Sequence, residues 1–160
     1  MKKIFALSLA LCMLLSLCAC GKEEAPVPAT LGQELYADFS AMVNGGESDV
    51  QALADALLAS GKLPFEGGMS AEMEEGFLMG FSSDIMGFEK AVMFGPMIGA
   101  IPFVGYVFEL DSADNCEAFC AMLLENADPR WNICTEADET VCGSAENLVF
   151  FVMCSNEQAE

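Results

Sequence analysis

The chain has 160 residues, of which 25 are acidic and only six are basic, and it contains no histidine. The lack of histidine excludes the commonest general base and the usual imidazole ligands of zinc and copper. The acidic excess excludes nucleic acid as a partner, because a field of that sign repels phosphates. Such an excess either keeps a protein soluble outside the cell or attracts cations and basic partners.

The first predicted element is a secretory signal. Two lysines precede an apolar run over 4–17, and small residues lead up to Cys20. A plain secretory signal prefers a small residue three positions before the cut, whereas Leu17 at that position is typical of a bacterial lipoprotein signal. The run is also shorter than the ~20 residues of a helix that spans a bilayer. We therefore expect a removed signal peptide over 1–19 and a diacylglycerol-modified Cys20 that anchors the protein to the outer face of the cell membrane.

Residues 20–160 hold all 25 acidic residues but only four of the six basic ones, which gives a formal charge of −21. Their number is typical of one domain with a substantial core. We expect the lipidated cysteine and a flexible tether over 20–30, since Pro26 and Pro28 interrupt regular structure there. A single domain then occupies 31–160.

Two helices are predicted next along the chain. Apolar residues at helical spacing begin at Leu31, and the glycine pair at 45–46 ends this helix. Ser48 and Gln51 form a capping-box pattern that begins the second helix, which Gly61 ends. The apolar faces are expected to carry Leu31, Leu35, Phe39 and Met42 in the first helix and Val50, Leu53, Leu57 and Leu58 in the second.

The middle of the chain predicts a change from helix to strand. The acidic segment 70–79 is interpreted as a short helix, and 88–94 as a strand that Gly95 and Pro96 end. The segment 98–110 is rich in β-branched and aromatic residues and predicts a longer strand, with Pro102 near its start.

A third helix and a hairpin complete the predicted elements. Ser112 and Asp114 cap the helix, and 127–129 ends it. Its buried face carries residues at i, i+3, i+4 and i+7, namely Cys116, Phe119, Cys120 and Leu123. The hairpin joins 140–142 to 148–154 around a turn at 143–147.

The last strand, 148–154, is apolar on both faces. Either helices cover both sides of the sheet or a second protomer does, which would make the protein a homodimer. The order of elements predicts an α+β fold, with N-terminal helices followed by a small, mostly antiparallel sheet of about four strands packed against helices.

Five cysteines remain after Cys20, and we expect most of them to be buried free thiols. An odd number allows at most two disulfides, and the sequence leaves their pairing open. Cys116 and Cys120 occupy core positions, where a thiol behaves as a small hydrophobe. If one disulfide forms, we expect Cys134 to pair with Cys154, opposite each other in a hairpin centred near Ser144. A metal-binding or catalytic cysteine is the remaining alternative.

Other candidate sites are weaker. Six methionines recur between 69 and 97, and thioethers bind Cu(I), but their drifting spacing favours adaptable core filler. Glu136, Asp138 and Glu139 lack the spacing of a calcium loop. The sequence contains neither a phosphate-binding glycine loop nor a G-x-S-x-G elbow. We therefore expect no cofactor, no metal and no catalytic residue.

Several of these features together resemble a known family. They are the lipoprotein signal, the short acidic tether, FEKAVMFGP at 88–96 leading into 98–110, the acidic-capped helix from Ser112, and the closing strand 148–153 after a Gly/Asn turn. In this respect the chain resembles the small lipoproteins of clostridia-type gut anaerobes that share a domain of unknown function. The resemblance implies an extracytoplasmic α+β domain and assigns no catalytic or binding residues.

The expected function is therefore binding rather than catalysis. A lipid-anchored domain of this kind would bind a partner protein, an envelope component or a cation-bearing ligand. The alternatives are an accessory structural subunit of an envelope complex, and a hydrolase of envelope polymers that uses paired carboxylates. An exposed apolar patch would favour the first alternative, and a carboxylate pair in a cleft would favour the second.

Overall fold

A computed structural model of the protein describes residues 29–155. The predicted signal peptide, Cys20 and most of the tether lie outside the described residues, as do residues 156–160. None of the helices within 29–155 is long and apolar enough to cross a membrane. The elements are α1 (Leu31–Asn44), α2 (Val50–Leu58), β1 (Gly68–Met73), β2 (Gly76–Phe77), β3 (Asp84–Ile85), β4 (Lys90–Pro96), β5 (Val104–Glu109), a 3-10 helix (Ala113–Asn115), α3 (Cys116–Asn126), β6 (Glu139–Ala145) and β7 (Leu148–Cys154).

The main sheet is antiparallel and has five strands in the order β1-β4-β5-β7-β6, while β2 and β3 form a separate pair. The predicted α+β class is confirmed. The sheet has one strand more than expected, because β1 arises from a segment that was predicted as helix.

Strand β7 is buried on both faces, since each of its seven residues is buried. Helices α1 and α2 cover one face of the sheet, and the residues there include Phe94, Val107 and Phe150. Helix α3 and the segment 78–88 cover the other face, against residues such as Phe151. Of the two alternatives left open for β7, the structure shows the first in large part: helices cover one face, and a helix together with 78–88 covers the other.

The segment 78–88 is held against the sheet by aromatic contacts. The Tyr106 hydroxyl donates a hydrogen bond to the Met79 carbonyl at 2.8 Å. Burial raises the pKa of Tyr106, so this hydroxyl remains a protonated donor. The Phe81 ring lies 4.8 Å from the Phe151 ring, measured between centroids. A segment with little regular structure can thus cover an apolar face of the sheet.

Helix α1 is attached to the edge strand β6 by one carboxylate. Glu139 accepts hydrogen bonds from the Thr30 hydroxyl and, at 3.0 Å, from the Gly32 backbone N–H. Unpaired N–H groups at a helix N-terminus favour a negative charge there. Nearby, the α1 residue Tyr36 packs on Gly143, where an added Cβ would lie 2.5 Å from the ring. These contacts fix the place where the chain enters the domain.

The ends of α1 agree with the prediction, but the predicted capping box is wrong. The capping box of the structure lies at Thr30 and Gln33, at the start of α1. Helix α2 begins at Val50, and its cap is Asp49, which accepts a hydrogen bond from the Ala52 N–H at 2.8 Å. Gln51 instead donates to Asp55 and to a serine of β1, so it contributes to tertiary packing rather than to a cap.

The predicted helix over 70–79 is wrong. Residues 68–73 form β1, and all six of them pair with β4, from Gly68 opposite Pro96 to Met73 opposite Ala91. Ser70 points towards α2 and donates to Asp55, whereas Met73 packs on the opposite core. Pairing with a neighbouring strand has overridden a local sequence rich in helix formers.

The remaining strands confirm the predictions with shifted ends. Strand β4 runs to Pro96, but β5 is shorter than expected because residues 97–103 form a connection that includes Pro102. Ser112 caps the 3-10 helix that leads into α3, and α3 ends at Asn126. The closing hairpin turns at 146–147, later than expected, and Glu146 has a positive φ of 53° there.

Gly105, which packs on Phe94 where β5 pairs with β4, is expected to be sensitive to substitution. An added Cβ at Gly105 would lie 2.3 Å from the Phe94 ring, which is itself fully buried. We expect Gly105→Ala to lower the free energy of unfolding by about 1–3 kcal/mol, as overpacked cores do. Gly99→Ala is the matched control, because an added Cβ there meets nothing within 4 Å. Urea melts that gave the two variants equal stability would contradict this packing.

Candidate functional site

All five cysteines of the described residues are free. The predicted pairing of Cys134 with Cys154 is wrong, because Cys134 lies exposed before β6 and the residue opposite Cys154 is Glu139. The prediction placed the centre of the hairpin too early in the chain. The expected burial is confirmed for Cys116 and Cys154, while Cys120 and Cys142 are half-buried.

The surroundings of Cys116 and Cys154 favour the protonated form of each thiol. The Cys116 thiol lies 3.5 Å from the Glu146 carbonyl, and burial raises its pKa. Burial also raises the pKa of Cys154, and the neighbouring Glu139 carboxylate adds to that effect. Both groups therefore stay neutral, as small hydrophobes do.

Cys120 on α3 and Cys142 on β6 pack against the same side of the core. The interaction with the Cys142 side chain lowers the pKa of Cys120. The same interaction, together with burial, raises the pKa of Cys142. The sequence analysis missed this pair, since it depends on how α3 lies across β6.

The prediction that the methionines fill the core is wrong for four of the six. Met73 and Met93 pack against the core. The others expose between 42% and 70% of their surface; they are Met69, Met79, Met86 and Met97. Flexible, polarizable methionine on a surface is typical of binding sites that adapt to a partner.

The acidic residues that were considered for calcium are engaged in other contacts. Glu136 forms an ion pair with Arg130 at 3.5 Å, and Glu139 binds the N-terminus of α1. In the described part of the chain, no group of three or more Cys, Asp or Glu side chains is arranged to hold a metal ion.

A first cleft, of about 470 Å³, lies between α3 and the loops next to β2 and β3. Its lining includes the carboxylates of Glu75, Glu89 and Asp111. Glu75 accepts a hydrogen bond from the Gly87 N–H at 2.6 Å, and Asp111 accepts one from the Asn115 amide at 2.7 Å. Two of these carboxylates therefore already stabilise the local loop and helix.

A second cleft, of about 450 Å³, is apolar and lies beside the paired ends of β1 and β4. We call it the apolar groove. Phe65 forms part of its wall and packs edge-to-face on the buried Phe103, with ring centroids 5.1 Å apart. Met97 and Ile98 at its rim expose 70% and 77% of their surface. Its lining residues are Phe65, Glu66, Gly67, Pro96, Met97, Ile98 and Ile101.

The described domain that contains the groove carries a strongly negative charge overall. Residues 29–155 include 21 acidic and three basic side chains. Each of those basic side chains already has an acidic partner: Lys62 pairs with Asp38, Lys90 with Glu109, and Arg130 with Glu136. The excess charge is therefore available to attract a positively charged partner over distances up to about the ~8–10 Å Debye length of physiological salt.

Because Cys116 is buried and Cys134 is exposed, substitutions at these two positions should differ in their effect on stability. Cys116→Ala removes a buried sulfur and should lower the free energy of unfolding by about 1–3 kcal/mol. Cys134→Ala changes an exposed side chain and should alter it by less than about 0.5 kcal/mol. Thermal melts of the reduced proteins test this difference. A Cys116→Ala variant as stable as Cys134→Ala would show that Cys116 contributes nothing to the core.

Comparison with known proteins identifies no relative of this chain: no family model, no curated protein and no solved structure matches it. The resemblance to lipoproteins of gut anaerobes stays a prediction from the sequence.

Proposed function

We propose that this protein is a lipid-anchored lipoprotein on the outer face of the cell membrane whose domain is a non-catalytic binding module. The order of lysines, apolar run and Cys20 supports the anchor. The apolar groove is the observation that supports binding. Met97 and Ile98 remain exposed beside it, although residues 29–155 bury two extensive cores.

The chemistry of the groove defines the partner. The ring of Phe65 and the side chains of Met97 and Ile98 suit one or two apolar anchor side chains. The Glu66 carboxylate in the lining, together with the negative charge of the domain as a whole, suits lysine or arginine next to those anchors. The partner is therefore a basic protein segment with apolar anchors, and charge attraction would accelerate its association.

The groove also favours a second candidate, an accessory subunit of an envelope complex. An exposed apolar patch is typical of surfaces that stay covered in a complex. The two functions differ in the lifetime of the complex, since a binding module releases its partner and a subunit keeps it. A partner that stays bound through detergent extraction and gel filtration would identify the accessory subunit.

Binding in the apolar groove can be tested by adding an amphipathic lysine–leucine peptide to the full chain in detergent. Peptide at a hundred times its Kd should stabilise the protein by ~2.7 kcal/mol, which a thermal melt detects. The double substitution Met97→Ser with Ile98→Ser should weaken binding by about tenfold or more, because it removes apolar contact area. Added salt should also weaken binding, because it screens the carboxylates.

Ile133→Ser is the matched control for the groove, since Ile133 is 94% exposed and lies outside it. This variant should bind the peptide as the unsubstituted protein does. Equal affinity of the groove variant and the control for the peptide would contradict binding in the groove, whether or not the protein is lipid-anchored.

The anchor predicts a separate result. Cys20→Ala should prevent lipid labelling and release the protein from membranes, because the acylated sulfur would be lost. Cys18→Ala, two residues earlier, keeps a small residue before the cut and should change neither property. Cell fractionation with a labelled fatty acid measures both. Unchanged labelling of Cys20→Ala would contradict the lipid anchor and leave the groove unaffected.

A further inference from the structure

Strand β1 is an edge of the main sheet whose outer side is open, whereas the opposite edge is partly covered. In the main sheet β1 pairs with β4 alone. At the other edge, the Tyr36 hydroxyl donates a hydrogen bond to the Ser144 carbonyl of β6 at 3.1 Å, and the Tyr36 ring packs on Gly143. Within residues 29–155, no hydrogen bond outside the sheet involves a backbone group of 68–73. The backbone groups of β1 that point away from β4 therefore have no partner in the described part of the chain.

The hydrogen bonds of the sheet identify which backbone groups of β1 point outwards. Just beyond β5, the Leu110 N–H donates to the Asn147 carbonyl at 2.9 Å, in continuation of the register between β5 and β7. Bonded pairs alternate with non-bonded pairs along an antiparallel ladder. Tyr106 and Phe108 are therefore bonded to β7, and Val107 between them directs its backbone groups to β4.

The same alternation continues through β4 to β1. Val107 lies opposite Val92, so the backbone groups of Val92 point to β5 and those of Met93 point to β1. Met93 lies opposite Ala71, which is therefore bonded to β4, as are the residues two positions before and after it. The other three residues of β1 direct their N–H and C=O groups outwards; they are Gly68, Ser70 and Glu72.

This open edge lacks the features that usually protect an edge strand. Such strands are protected by lysine, proline, a bulge or a covering segment. The sequence of β1, GMSAEM, contains neither lysine nor proline, and all six residues pair with β4 in register. Gly68 and Glu72 are also exposed. The edge can therefore accept a further strand, which would bond to the outward groups of the three residues identified above.

The apolar groove lies at one end of this open edge. Its lining includes Gly67, next to Gly68, and Pro96, which lies opposite Gly68 on β4. Phe65 in the groove packs against the core under α1 and α2, the same face to which Ser70 points. Side chains opposite each other on neighbouring strands point to the same face. An apolar side chain opposite Gly68 on an added strand would therefore lie next to the groove.

The other end of the open edge is acidic. Glu72 lies four residues after Gly68, so the two residues share a face of the sheet. On this face, Asp55 of α2 is exposed and accepts a hydrogen bond from the Ser70 hydroxyl at 2.6 Å. Lys90 of β4 is already paired with a glutamate of β5 at 2.8 Å. A lysine or arginine opposite Glu72 on an added strand therefore suits this end.

We propose that the basic partner segment binds as an extended strand paired with β1, with an apolar side chain in the groove and a lysine or arginine four residues away beside Glu72. This mode of binding rests on the proposed function and adds the conformation and register of the partner. A second copy of this chain is a poorer occupant of the edge. Each copy carries 21 acidic and three basic side chains in residues 29–155, so two copies repel each other.

The probe is the capped peptide TKTVTLT, added to the isotope-labelled full chain in detergent. In an antiparallel pair its lysine lies opposite Glu72, its valine opposite Ser70 and its leucine opposite Gly68. Hydrogen exchange followed by NMR measures each backbone amide separately. We expect the amides of these three residues to exchange at least about tenfold more slowly with peptide, because each gains a hydrogen bond. The amides of Thr140 and Cys142 in β6, at the opposite edge, are the internal control and should not change.

Three results would overturn the added strand. Chemical-shift changes at Met97 and Ile98 without slower exchange at the outward amides of β1 would show binding in the groove alone, and the proposed function would stand. No change at either place with a large excess of peptide would contradict both the added strand and the binding function. Slow exchange without peptide, increasing with protein concentration, would identify a second copy of the chain as the occupant.

Substitution of Glu72 tests the pairing from the protein side. Glu72→Pro removes an outward N–H that β4 does not use, and proline is tolerated at such positions of edge strands. Glu72→Gln is the matched control, since it removes the charge and keeps the N–H. Glu72→Pro should weaken peptide binding about threefold to tenfold more than Glu72→Gln, because one backbone hydrogen bond is lost. Equal affinities, with the β4 amides protected from exchange in both variants, would overturn the pairing with β1.

Discussion

The burial of both faces of β7 is the constraint on which the other elements depend. A strand with the sequence LVFFVMC cannot leave either face in water, because burying its large side chains is worth about 1.5–3 kcal/mol each. The helices before the sheet cover one face, so the chain needs a second cover from the elements between its strands. Helix α3 and the segment 78–88 provide it. The segments that connect the strands of this small sheet therefore form the second hydrophobic core.

Much of the fold could be predicted, because local signals and tertiary packing agree there. Helix α1 begins and ends where the apolar spacing and the glycine pair at 45–46 predict. The face of α3 that carries Phe119 and Leu123 is the buried one. The exception is 68–73, where helix-forming residues pair with β4. Its pairing depends on the distant strand β4, and local propensity contains no information about that strand.

The candidate sites were harder to predict, because each depends on contacts between distant segments. Cys120 was identified as a residue of the α3 face, but nothing local indicates that α3 would bring it to Cys142. The error in the hairpin centre moved the predicted partner of Cys154 by several residues. For Met97 and Ile98, the short apolar run between two strands was a usable signal. Ile98 was interpreted as the start of a strand over 98–110 and Met97 as core filler, and their exposure is visible only in three dimensions.

The attachment of α1 to Glu139 places the start of the domain at one edge of the sheet. The chain enters at β6, one edge of the sheet, whereas the groove lies at β1, the other edge. Four strand spacings of ~4.8 Å separate these edges, a width of ~19 Å. A tether over 20–30 reaches at most ~35–40 Å when extended. In the lipoprotein proposed above, such a tether would be longer than the sheet is wide, so the groove would reach partners over a range of heights and directions above the bilayer.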